Sequence, residues 1–147
     1  VAATANDPIG EARILADRGQ LQAARQHCET LLVRDSLDGE ANLLLAAVCL
    51  ELGDLGSALE AARRATYILP RSAAAFFQLG SVQRRLGQAA QARRSMEVVL
   101  SLLDSLPDEQ PIASLAEMTT ASLRQAARAC LGLPSPPPRE LTHGRSS

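Results

Sequence analysis

The sequence contains no lysine and no tryptophan, and two phenylalanines with one tyrosine make up its 2% of aromatic residues. Sheet cores lean on aromatic and β-branched side chains, so this scarcity argues against a sandwich or barrel. Histidine is nearly missing too, with His27 and His143 the two examples. Cys28, Cys49 and Cys130 lie far apart with no C-x-x-C spacing. That excludes a paired-thiol redox motif and leaves a reduced cytoplasmic setting as the simplest expectation. No uninterrupted apolar run reaches the ~18 residues of a membrane span. The amino end lacks the charged-then-apolar order of a signal peptide, and it starts at Val1 instead of Met, as an excised piece of something longer would. There is no glycine-rich phosphate loop and no zinc or calcium ligand spacing. The expectation is a chain with no catalytic site, no cofactor and no metal.

Charge excludes further classes. The formal net charge is −1 and the isoelectric point is near 6.1, so no overall field draws the chain to nucleic acid or to an anionic membrane. The distribution is uneven: residues 1–70 carry −4, residues 71–105 carry +3 and the remainder is neutral. All 15 basic residues are arginine, which with the alanine and leucine load is the composition of GC-rich bacterial coding sequence.

What the chain does have is small and apolar. Hydrophobic residues reach 46%, mostly alanine and leucine, and such a core requires close helix–helix approach. Gly19, Gly53 and Gly87 are equally spaced along the chain, and Ala24, Ala58 and Ala92 follow them at the same spacing. Each surrounding segment reads as helix, glycine turn, helix. The glycine ends the first helix because it enters the left-handed conformation without a Cβ clash. The alanine marks where the second helix must touch the first. Leu45, Ala46, Cys49 and Leu52 form one stripe of the middle unit, and Ala58, Ala62, Ala65 and Leu69 the other. Phe76, Leu79, Gly80 and Gln83, then Ala92, Met96 and Val99, repeat them. Asp38 and Ser72 are N-caps for the helices that follow, and Pro70 is a helix stop.

This register resembles the tetratricopeptide repeat family over roughly Asn6 to Asp104, with Leu45, Ala46, Gly53, Ala58, Ala65 and Pro70 in the family's positions. The resemblance implies an all-α, right-handed superhelical solenoid of three helix pairs, at about 6–38, 39–72 and 73–104. The first pair departs most, because Pro8 and Glu11 sit where its first helix should be apolar, so that helix is expected to be short. Residues 1–5 read as a linker remnant and 105–131 as a linker plus a helix covering the end of the solenoid. Ser114 and Glu117 have capping-box spacing there. Residues 132–147, rich in proline and serine, read as a disordered tail.

In that family the first helices line a concave groove. The register then assigns to the groove Arg13, Ala16 and Asp17, followed by Leu43, Ala47, Leu50 and Glu51, and finally Phe77, Ser81, Arg84 and Arg85. Phe77 is the candidate apolar anchor, and Arg84 with Arg85 would take a carboxylate or an acidic segment. Ala47 and Ser81 stand where the family's clamp for chaperone-tail carboxylates has Lys and Asn, so that ligand is not implied. The expected partner is a protein or peptide. Arg63–Arg64 and Arg93–Arg94 read as a solvated face, since nucleic-acid binding would need interleaved aromatics. His27 and Cys28 are adjacent on a helix and do not face each other, so Cys28 reads as a core thiol.

A narrower likeness covers Tyr67 to Ile112. Tyr67 ahead of Pro70, Phe77 with Leu79–Gly80, Arg84–Arg85–Leu86–Gly87, Arg93–Arg94 and the exit from Leu102 to Glu109 are similar to the repeat region fused to some bacterial chemotaxis-receptor methyltransferases of the CheR type. The likeness implies a regulatory module that binds the catalytic methyltransferase domain, the chemoreceptor or a signalling protein. The S-adenosylmethionine site of such proteins lies in a preceding domain with no counterpart here. A repeat adaptor of another bacterial assembly, in secretion or pilus formation, is the alternative reading.

Overall fold

The computed structural model describes residues 8–108, 110, 112 and 118–133. Among them the chain forms seven helices and no β-strand: α1 (Pro8–Asp17), α2 (Leu21–Arg34), α3 (Gly39–Leu52), α4 (Leu55–Ile68), α5 (Ala73–Arg85), α6 (Ala89–Leu103) and α7 (Thr120–Cys130). The first six are three helix–turn–helix pairs. α1 has 10 described residues, fewer than any other described helix.

The three repeat glycines occupy the same local structure. Gly19, Gly53 and Gly87 have φ of 78°, 84° and 80°. At each, the glycine N–H and the next N–H donate back to carbonyls of the preceding helix: Gly19 to Ala16 and Gln20 to Leu15, Gly53 to Leu50 and Asp54 to Cys49, Gly87 to Arg84 and Gln88 to Gln83. This double bond pattern satisfies carbonyls that a helix end leaves orphaned. Gly132, outside the repeat period, closes α7 in the same way, with φ 73° and a Leu133-to-Arg128 bond.

The helix starts follow side-chain chemistry. Asp38 accepts from the Ala41 N–H at 3.1 Å, and Ser72 accepts from the Ala75 N–H at 3.1 Å. Thr119 caps α7 through the Ser122 N–H. Ser114 and Glu117 lie outside the described residues, and the helix with a described start begins only at Thr120.

Each helix packs on its neighbour in sequence, and α1, α3 and α5 also touch one another in succession. The first helices of the pairs therefore form one continuous inner layer. Two apolar clusters run through the stack. Ala12, Cys28, Ala46, Cys49, Ala58, Ala62 and Val82 join the first two pairs to α5. Ala73, Ala74, Met96, Val99 and Leu103 join the third pair to Leu123 and Ala127 of α7. Small side chains set the spacing: a Cβ on Gly80 would lie 2.7 Å from Met96 Cε and 3.2 Å from Ser95 Cβ. α7 packs on α6 and buries Leu123 completely, so the apolar face of the last pair is covered instead of wet.

Candidate functional site

The residues assigned to the groove fall on the three inner helices: Arg13, Ala16 and Asp17 on α1, Leu43, Ala47, Leu50 and Glu51 on α3, and Phe77, Ser81, Arg84 and Arg85 on α5. Side chains at equivalent places on touching helices share one face, because the constant repeat interval returns each to the same point of its unit. Leu50, Ser81, Arg84 and Arg85 come together around one cavity of about 360 Å³ between α3 and α5. It has one apolar wall, a hydroxyl and two guanidinium groups, a set suited to an acidic group beside an aliphatic one.

Two of these residues are placed differently from that expectation. Leu43 is only 3% exposed and belongs to the core with Ala73 and Ala74. The inner layer closes over it, so Leu43 supports the wall and offers no surface. Arg13 Nη2 donates to Glu40 Oε1 at 2.7 Å, tying α1 to α3. Both side chains are about 40% exposed, where such a pair contributes little stability but does fix the arginine. Phe77 is half-buried against the cluster that contains α7.

Asp17, Glu51 and Arg85 are exposed, and none has a charged partner among the described residues. Arg84 donates through Nη1 to the Cys130 sulfur of α7 at 3.4 Å. It also borders a second cavity, about 350 Å³, with Ala92, Arg93, Met96 and Cys130. A third, of about 550 Å³, is lined mainly by Leu69, Pro70, Ala73, Leu102, Leu106 and Ile112. Neither was legible in the sequence, since each joins residues from segments the repeat period does not relate.

The core places two of the three cysteines out of reach of solvent. Cys28 and Cys49 are fully buried free thiols. Burial, with Cys49 as the next cause, pushes the Cys28 thiol up to about 12; burial also raises Cys49. A thiolate is the reactive form, so both are inert at neutral pH. His27 Nε2 lies 3.5 Å from Glu11 Oε1. No group of three His, Cys, Asp or Glu that could hold a metal occurs among the described residues, and no helix there is long and apolar enough to cross a membrane. Asn42 is a polar core residue the sequence reading missed. Its Nδ2 donates to the Ser36 and Asp38 carbonyls and pins the turn before α3. An asparagine opening the apolar run of α3 was the available signal.

No family model and no curated protein matches the sequence. Solved structures do. An O-GlcNAc transferase of Thermobaculum terrenum superposes with a TM-score of 0.67 at 24% identity, over 86% of this chain and 22% of the transferase. The chain thus spans about a fifth of that protein. The Yersinia enterocolitica type III secretion chaperone SycD, in complex with a peptide of the translocator YopD, gives 0.68 at 16% identity, over 88% of this chain and 95% of SycD. PcrH, in complex with the chaperone-binding region of PopD, gives 0.69 at 18%, over 88% and 94%. Identities this low speak to fold alone, and the fold is a tetratricopeptide-type helical solenoid.

Proposed function

We propose that the chain is a protein-binding module whose ligand, a peptide segment of another protein, lies along the inner layer of α1, α3 and α5. The observation that supports this most is the convergence of Leu50, Ser81, Arg84 and Arg85 on one open cavity between two inner helices. An apolar wall beside two arginines offers both burial and charge-assisted hydrogen bonds to a chain laid across it.

The test is selection of binders from a displayed peptide library, followed by affinity measurement. Arg84→Ala/Arg85→Ala and Phe77→Ala should each weaken the selected peptides at least tenfold. Peptides that bind both variants as well as the parent would place the ligand elsewhere.

The finer reading is a cytoplasmic regulatory module of a chemotaxis-type receptor methyltransferase, supported by the sequence likeness from Tyr67 to Ile112. It predicts a methyltransferase domain encoded upstream of Val1, and a changed pattern of receptor methylation when residues 1–131 are deleted from that parent. A parent lacking that domain removes the reading. A secretion-type adaptor is then favoured by one observation: SycD, solved with a peptide of the translocator YopD, and PcrH, solved with the chaperone-binding region of PopD, are matched over nearly their whole length.

A further inference from the structure

We infer that the inner face selects a segment with a fixed charge order, its basic group held at the α1–α3 end and its acidic group held at α5. This rests on the inner layer being the docking face and adds what the ligand must look like.

The charged residues of α1, α3 and α5 sort into two kinds. Near the helix starts they have local partners: Arg13 pairs with Glu40, and Glu11 lies 3.5 Å from His27. In the last turns of these helices the charged residues are Asp17, Glu51, Arg84 and Arg85, and they have no charged partner among the described residues; nor has Arg18, exposed in the turn just after α1. Asp17, Glu51 and Arg85 occupy one and the same repeat position, in three successive units. Ala16, Leu50 and Arg84 occupy the position before. At that repeat position the sign therefore runs negative, negative, positive, with the apolar wall of Leu50 beside the change of sign.

Helix electrostatics weakens the bland account of a merely solvated edge. The carboxyl end of a helix carries partial negative charge, so arginines there are favourable and carboxylates unfavourable. Arg84 and Arg85 need no ligand to justify them on α5. Asp17, the last residue of α1, and Glu51, next to last on α3, sit against the local field. An incoming cation would relieve both.

Geometry sets the ligand's spacing. Touching helices lie roughly 8–10 Å apart, so Glu51 and Arg85 are separated by about one such step and Asp17 and Arg85 by about two. An extended chain advances ~3.3 Å per residue, which puts the basic group roughly three to six residues from the acidic group. The residues between them face Leu50 and Ala47 and would be apolar.

Fluorescence anisotropy with four fluorescein-labelled peptides tests this. Each has the same leucine–alanine centre; one carries a glutamate pair and an arginine pair at opposite ends, one is its reverse, one carries glutamates at both ends and one arginines at both. At least one bipolar peptide should bind tenfold or more tightly than both unipolar ones. Asp17→Arg/Glu51→Arg should transfer the preference to the glutamate peptide, and Arg84→Glu/Arg85→Glu to the arginine peptide; thermal melts report whether each variant is folded. A glutamate peptide equal to the bipolar pair, a ranking unmoved by either charge reversal, or no binding by any of the four overturns the charge order. If library-selected peptides still lose affinity on Arg84→Ala/Arg85→Ala, the docking face stands while its charge order falls. If they do not, the docking face itself is wrong.

Discussion

Ser95 Oγ on α6 donates a 2.7 Å hydrogen bond to Gln83 Oε1 on α5, in a buried interface where both residues are at most 6% exposed. The equivalents of Gln83 in the other repeats are Cys49 and Leu15, so a buried amide stands where the other units have a side chain without one. Ser95→Ala strips the partner from a buried amide oxygen and should cost about 1–3 kcal/mol. Adding Gln83→Leu removes the orphaned group and should recover most of it. Urea unfolding of both singles and the double closes the cycle; purely additive losses would deny the coupling.

Gly53→Ala and Gly80→Ala should destabilise for different reasons. At Gly53 nothing lies within 4 Å of an added Cβ, but φ is +84°, and the left-handed conformation costs an L-residue about 1–2 kcal/mol. At Gly80 the backbone is ordinary and the added methyl meets Met96, an overpacking cost of about 1–3 kcal/mol. Shortening the neighbour with Met96→Val should relieve Gly80→Ala and leave Gly53→Ala unchanged. Equal behaviour of the two in denaturant melts would contradict the distinction.

The turn between α3 and α4 should weaken in acid. Asp54 accepts from the Ser57 N–H, the Ser57 hydroxyl and Arg25, and these bonds, the Ser57 N–H first, hold its carboxyl below the usual range. A carboxyl lowered by folding contributes stability in full above its unfolded value of about 3.9 and loses it as pH falls through the lower folded value. The gap in stability between the parent and Asp54→Asn should therefore be constant near neutrality and shrink below about pH 4. Melting both proteins across the acid range up to neutrality reads this; a gap that widens in acid would reverse the sign.

Thiol labelling should separate the three cysteines. Cys28 and Cys49 are fully buried with raised thiols, whereas Cys130 is half-exposed beside Arg84. In mildly alkaline buffer Cys130 should react with a disulfide reagent well before the other two, which should wait for unfolding. Labelling of Cys28 in the folded protein would contradict its place in the core and reopen a thiol chemistry.

Much of the architecture was legible because it is local. A glycine at a left-handed turn, an N-cap from Asp38 or Ser72 and an alanine where helices touch are properties of a few consecutive residues. Their recurrence at one fixed interval makes stacking the one way to cover the apolar stripes. The same period places Leu50, Ser81, Arg84 and Arg85 on one face from the order of residues alone.

Availability was not legible. Whether a groove position is wall or surface depends on how closely two remote helices approach, and α5 closes over Leu43 while leaving Leu50 accessible. Whether an arginine is held depends on a carboxylate 27 residues away for Arg13, and on a thiol 46 residues away for Arg84. The chain's own order thus determined the helices, their turns and their pairing, through backbone conformation and a repeated apolar pattern. Only the packed structure decided which charges of the inner layer pair with one another and which do not among the described residues, because that depends on distances between groups the sequence does not bring together.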